Sequence, residues 1–311
     1  MIPVARESLS PALAPFGESS TLPSEAYADE GVFRWELEYF FDRTWVCVGR
    51  ADDPQAAGDQ RAMRLVEWHG WLFANASGDA PPFEEHVGNL GELIENHRPG
   101  ELVVAVRHAY EVGANWKILV ENYHECYHCP SIHPELTRVS PPKSGEDHEA
   151  RGAWVGGSME LEDHAETMSL DGRSRAPRLP HLTGVREREV YYYQLFPNLL
   201  ISLHPDYVLT HRLQPLAPER TAVECEWLFS REALDSDGFD PSYAREFWDI
   251  TNRQDWGACE GVQRGISSRG YRQGPLSPEE TTVGKFVAMV ARGYLEGTVA
   301  RTPGRASEAV Q

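Results

Sequence analysis

Fourteen residues, Glu121-Asn-Tyr-His-Glu-Cys-Tyr-His-Cys-Pro-Ser-Ile-His-Pro134, hold three histidines, two glutamates and two cysteines. No other stretch of the chain constrains the fold as much, because so many metal-ligating side chains need a scaffold that fixes their directions. Just upstream, Trp116, Leu119, Val120 and Tyr123 fall at i, i+3, i+4 and i+7, which predicts a helix over Asn115 to His128. Pro130 and Pro134 then break it.

Two chemistries fit this segment. In the first, His124-Glu125-Cys126-Tyr127-His128 is the H-E-x-x-H of a zinc hydrolase. Two imidazoles at i and i+4 share a helix face, and the Glu beside them serves as general base for zinc-bound water. In the second, His128 pairs with His133. Five residues turn an ideal helix by about 140°, so a straight helix could not aim both rings at one metal. Pro130 ends the helix and lets the chain bring His133 back. Two neutral imidazoles plus one carboxylate make the facial triad that suits non-haem Fe(II) and leaves positions open for oxygen.

The remaining composition excludes several classes. The 311 residues are 41% hydrophobic and 10% aromatic, enough for a buried core and incompatible with a wholly disordered chain. No apolar run approaches the roughly 18 residues of a membrane helix, and no secretory signal opens the chain, so a cytosolic protein is expected. A net charge of −19 argues against nucleic-acid binding and is compatible with a cationic substrate. Five cysteines, only two of them close together, argue against a disulfide scaffold. Cys126 and Cys129 are expected to be small buried residues, since a zinc C-x-x-C needs a second pair.

Along the chain, residues 1–22 are expected as a loose arm and residues 23–80 as a helix followed by short strands. Residues 81–300 form the main domain, and residues 301–311 a frayed tail. Strands are expected at Trp45 to Gly49, Leu102 to Tyr110, Val190 to Leu203, Tyr207 to Leu213 and Thr221 to Phe229, and a strand or hairpin at Leu65 to Asn75. Pro241 to Ser268 and Pro278 to Glu296 read as two helices. The long stretch 137–185 reads as a functional or mobile loop. Together these predict an α+β protein, an antiparallel sheet with helices packed on it.

The segment Asn115-Trp-Lys to His133 closely resembles the catalytic motif of Rieske-type non-haem iron oxygenase alpha subunits, the aromatic-ring-hydroxylating dioxygenase family. Their pattern is N-W-K, then E-N, an acidic residue, Y-H and a second His five positions on. The resemblance implies that His128 and His133 bind mononuclear Fe(II), that Glu125 is the bridging carboxylate toward a neighbouring subunit's Rieske cluster, and that Asn122 supports the site. Phe247 to Gly265 resembles the family's C-terminal ligand helix, making Asp255 the third iron ligand; Glu260 and Asp249 are weaker candidates. The implied fold is a helix-grip type, a curved antiparallel sheet around a long C-terminal helix, with the flank Phe41 to Asp53 and the strand Val66 to Phe73 as remnants of a Rieske domain.

One departure is large. A Rieske [2Fe-2S] cluster takes its ligands from a C-x-H followed downstream by a C-x-x-H. Cys126-Tyr127-His128-Cys129 is not that arrangement, and no cysteine is followed by C-x-x-H. Only Ala51 to Leu65 separates the two flanking strands that would enclose the cluster. The resemblance therefore implies electrons from a reductase or a Rieske-bearing partner, and a homotrimer, for a reaction with O2 and a small molecule. Glu at position 125 and Ser169-Leu-Asp-Gly172 are similar to the monooxygenases of glycine betaine and carnitine, which implies hydroxylation or N-demethylation of a quaternary ammonium compound. Tyr123, Trp154 and Tyr193 are the expected aromatic contacts for such a cation. The zinc hydrolase and a non-catalytic ligand-binding subunit are the competing functions.

Overall fold

A computed structural model describes residues 2–54, 56 and 64–299. Apolar-rich strands build two antiparallel sheets. The smaller contains β1 (Val46–Arg50), β2 (Arg64–Trp68) and β3 (Trp71–Asn75), in the order β1-β3-β2. Its β2–β3 turn places His69 and Gly70 at positive φ, which lets the two strands pair directly across Trp68 and Trp71. The larger sheet adds β4 (Val103–Val112), β5 (Glu146–Asp147), β6 (Trp154–Glu160), β7 (Glu189–Leu195), β8 (Leu199–Leu203), β9 (Val208–Ala217) and β10 (Arg220–Phe229). Its order is β4-β10-β9-β8-β7-β6-β5.

Each face of the larger sheet covers a different core. One packs Trp154, Tyr191, Tyr193, Leu199, Ile201 and Leu203 against Trp45, Trp71, Phe73 and Phe83 of the smaller sheet and its following helix. The other packs Leu200, Leu209, Val223 and Trp227 against three helices: α1 (Trp116–Tyr123), α3 (Ser242–Ile266) and α4 (Thr281–Glu296). A short helix, α2 (Cys129–Ile132), follows α1. Gly157 permits the close approach of β5 to β6, because a Cβ there would collide with the Glu146 carbonyl.

Helix α1 is anchored by the first residues of the motif. Asn115 caps it, its Oδ1 accepting from Lys117 N at 3.0 Å. The Trp116 indole and Lys117 ammonium both donate to the buried carboxylate of Glu36, at 2.9 and 2.6 Å, and Tyr294 OH donates to the same group. Removing one side of such a buried pair costs about 3–5 kcal/mol. These residues of the motif hold the helix in place and do not reach the cavity.

Three expectations change. The expected loose arm over 1–22 is not loose in its described residues, 2–22: they form the turns Arg6–Leu9 and Ser10–Leu13, with Leu9 and Leu22 fully buried and Phe16 lying on Gly284 of α4. Val190 to Leu203 is two strands, split by a turn at Phe196-Pro197-Asn198. Residues 137–185 contain β5 and β6, and their remaining loop is tied down by buried Asp206, which accepts from Thr167, Ser174 and Tyr243. The expected tail from residue 301 lies outside the described residues.

Candidate metal centre

Helix α1 ends at Tyr123, earlier than the expected His128, so His124 and His128 do not share a helix face. A turn over residues 124–128 leads into α2, with Cys129 N donating to the Cys126 carbonyl at 3.2 Å. His133 follows α2 directly, its amide donating to the Cys129 carbonyl at 2.9 Å. Helix α3 runs for 25 residues, about 37 Å, and carries Asp255 near its middle. His128, His133 and Asp255 meet there, each offering one ligand atom within 4.8 Å of the others.

The separations are close. His128 Nε2 and His133 Nε2 are 3.1 Å apart, and Asp255 Oδ1 lies 3.3 and 2.9 Å from them. Metal–nitrogen and metal–oxygen bonds of about 2.1 Å at right angles put neighbouring donors about 3 Å apart, so the cluster fits three ligands on one face of an octahedral ion. The outer ring nitrogens are also held, as metal-ligating imidazoles require. His133 Nδ1 meets Gln254 Oε1 at 2.7 Å, and His128 Nδ1 meets Glu125 Oε1. Asn122 Nδ2 donates to Asp255 Oδ1 at 2.7 Å.

Without a metal, burial works against ionisation here but the partners prevail; a metal bound at His128 Nε2 would displace the proton there. Burial lowers the pKa of His128, while hydrogen bonds to Asp255 and Glu125 raise it further, to about 9. Burial raises that of Asp255, and the two imidazoles and Asn122 hold it below the usual carboxylate value. His124 is outside the cluster; burial keeps its imidazole neutral, with a pKa of about 3. Glu260 accepts instead from the Gly113 amide, and Asp249 from Tyr110 and Arg253.

A cavity of about 540 Å³ opens onto the cluster. Tyr123, Tyr192, Trp248 and Met159 line it, together with Glu125, Glu146, Asp147, Glu279 and one cation, Lys143. Of the three expected aromatic contacts, only Tyr123 is present, its hydroxyl 2.8 Å from Ser202 Oγ. Trp154 and Tyr193 are corrections: both face the opposite side of the sheet, where they pack edge to face with ring centroids 5.6 Å apart. Gln254, Tyr192 and Trp248 were not expected. A third correction concerns Cys126 and Cys129, which are joined by a disulfide.

Two imidazoles and a carboxylate, backed by amide and carboxylate side chains at the floor of a cavity, form a group that could hold one metal ion on a mixed helix and sheet fold. A family model for the ring hydroxylating alpha subunit (catalytic domain) matches residues 99–296, and the chain belongs to that family. The glycine betaine monooxygenase oxygenase subunit of Chromohalobacter salexigens is 27% identical over 242 residues, 67% of this chain and 53% of that protein. The carnitine monooxygenase oxygenase subunit of Escherichia coli K12 is 25% identical over 227 residues, 71% of this chain and 57% of that protein. The chain thus spans about half the length of the curated relatives it matches. Among solved structures, the quaternary ammonium Rieske monooxygenase CntA superposes with a TM-score of 0.73 at 17% identity, covering 94% of this chain and 98% of that one. Naphthalene 1,2-dioxygenase from Rhodococcus sp. gives 0.65 at 13% identity, covering 96% and 99%. The chain is a relative of monooxygenase oxygenase subunits, and among its described residues no helix is long and apolar enough to cross a membrane.

Proposed function

We infer that this chain is a non-haem Fe(II) oxygenase domain that hydroxylates or N-demethylates a small cationic substrate. The observation that carries this is the convergence of His128, His133 and Asp255 at the floor of an aromatic, acidic cavity. Iron held there would supply activation of O2. The chain's own residues do the rest. Gln254 and Glu125 keep the ligand nitrogens aimed inward, and Asn122 fixes Asp255. The aromatic rings of Tyr123, Tyr192 and Trp248 suit a desolvated quaternary ammonium group, and Glu146 favours its entry, with Asp147 and Glu279 offset by Lys285 and Lys143. Glycine betaine and carnitine, named for the relatives, are the first compounds to test.

Electrons come, on this reading, from a reductase or a Rieske-bearing partner, with Glu125 at the receiving end of a homotrimer interface. The helix-grip arrangement is read from α3 lying across the larger sheet, and the three-stranded sheet is read as the remnant of a Rieske domain. A cytosolic setting completes the proposal.

Metal analysis after anaerobic reconstitution tests it. About one iron per chain without acid-labile sulfide is expected. Zinc retained in preference to iron, or metal lost in His124→Ala but kept in His133→Ala, would sink it in favour of the hydrolase.

A further inference from the structure

The disulfide between Cys126 and Cys129 encloses only Tyr127 and His128. Both cysteines line the cavity that opens onto the metal cluster. The other three, Cys47, Cys225 and Cys259, are free, buried and away from it. Cys129 is 3% exposed, whereas Cys126 is half-buried, so a reagent reaches the pair at Cys126.

The pair sits at the joint of the site. On its N-terminal side are Glu125, whose carboxylate accepts from the His128 amide at 3.2 Å, and the end of α1. On its C-terminal side, the Cys129 carbonyl accepts from the His133 amide. Glu125, His128 and His133 are therefore spaced by a turn of backbone that this one covalent bond closes.

We propose that Cys126 and Cys129 are a reversible thiol–disulfide modification site that sets how firmly the 124–133 loop holds the metal. The proposal rests on the reading of His128 and His133 as ligands. The reductant is a small dithiol. One of its thiolates attacks Cys126 Sγ, the S–S bond breaks, and the Cys129 sulfur leaves and takes a proton. The second thiol of the reagent then displaces Cys126 as a thiol, leaving the reagent oxidised to its disulfide and two cysteine thiols on the chain. In reoxidation a peroxide transfers one oxygen to Cys126 Sγ and leaves as its alcohol or water, giving a sulfenic acid; the Cys129 sulfur then attacks that Sγ, the S–S bond forms, and the sulfenic hydroxyl leaves as water with the thiol proton. In the oxidised state the loop is closed and the ligands are spaced for the metal. In the reduced state the turn is held by hydrogen bonds alone.

The test compares the full chain purified under air with the same protein reduced by dithiothreitol and desalted anaerobically. Alkylation in denaturant, counted by mass, should find two more thiols after reduction. Amide exchange should rise over residues 124–133 on reduction, and Fe(II) should pass to a chelator about ten-fold faster, the scale on which groups supporting a ligand act. Cys126→Ser should behave as the reduced protein in both treatments. Five alkylated thiols in the air-purified protein, or identical exchange over 124–133 in the two states, would overturn the proposal. So would iron release at one rate in both. If neither state retains iron, the metal reading itself fails, while the thiol count and amide exchange still decide the role of the pair in closing the loop.

Discussion

Three consecutive tyrosines on β7 divide between the two faces of the larger sheet. Tyr191 and Tyr193 enter the core shared with the three-stranded sheet, and Tyr192 turns toward the helices and lines the cavity. Histidines divide by their partners rather than by face, since His124 lines the cavity and burial lowers it to about 3 as well. On the core face, burial lowers the pKa of His97 to about 3, and both its ring nitrogens lack a protein partner. On the cavity face, His128 is carried to about 9, because Asp255 and Glu125 outweigh its burial. Equal residue types therefore serve opposite ends. One face packs aromatic rings to hold the sheets together, and the other keeps carboxylates beside imidazoles around an open space. Strand parity separates the tyrosines, and the presence or absence of a hydrogen-bonded carboxylate separates the histidines.

The largest expected effect lies on the cavity face. Asp255→Ala and His133→Ala should each reduce bound iron from about one per chain to near zero, since two protein ligands seldom retain a facial-triad metal. Thermal unfolding of the metal-free variants should stay close to that of the metal-free parent. Retention of stoichiometric iron by either variant, read by metal analysis, would remove the distinction between the faces.

On the core face the order of effects should invert. Tyr193→Ala empties a site that is 0% exposed, and deleting a ring of that size from a core costs about 3–5 kcal/mol. Tyr192→Ala should cost clearly less stability, yet weaken binding of a trimethylammonium compound relative to its neutral tert-butyl analogue. Denaturant unfolding and calorimetric binding measure the two quantities. Equal stability losses for both variants would show that the parity assignment carries no functional meaning.

That parity was not legible in the sequence. A run of three tyrosines has no alternation of its own, so nothing in it separates Tyr192 from Tyr193. Trp154 was misplaced for the same reason, because glycines at positions 156 and 157 give its strand no polar–apolar pattern. The ligand cluster was more accessible. The structure brings His128 and His133 together with Asp255, but not by the expected break: α1 already ends at Tyr123, and Pro130 lies in the first turn of α2 instead of ending a helix. Asp255 itself needed the family resemblance, being one carboxylate among many. Gln254 carried no signal at all, since an amide becomes a support for His133 only through a contact 121 residues distant in sequence. The N-terminal segment was misjudged because Val4, Leu9 and Ala12 are too widely spaced to show a period, although all three are buried.

The smallest effect is the most direct test of how the core face treats charge. His97 has a depressed folded-state pKa, about 3, against about 6.5 in an unfolded chain. Between these values the unfolded chain binds a proton that the folded chain refuses, so folding stability falls as pH falls through this window. The loss from one such group approaches about 1.4 kcal/mol per pH unit. His86 and His211, each lowered to about 4 by burial, act in the same direction. Replacing His97 with Phe removes one of these titrations and also two buried nitrogens without partners. The variant should therefore lose stability less steeply than the parent between pH 6.5 and 4.5 in urea unfolding, while the two remain similar above pH 7.5 apart from a constant offset. Parallel slopes across the acid range would mean that His97 accepts its proton in the folded state, and that the core face tolerates charge after all.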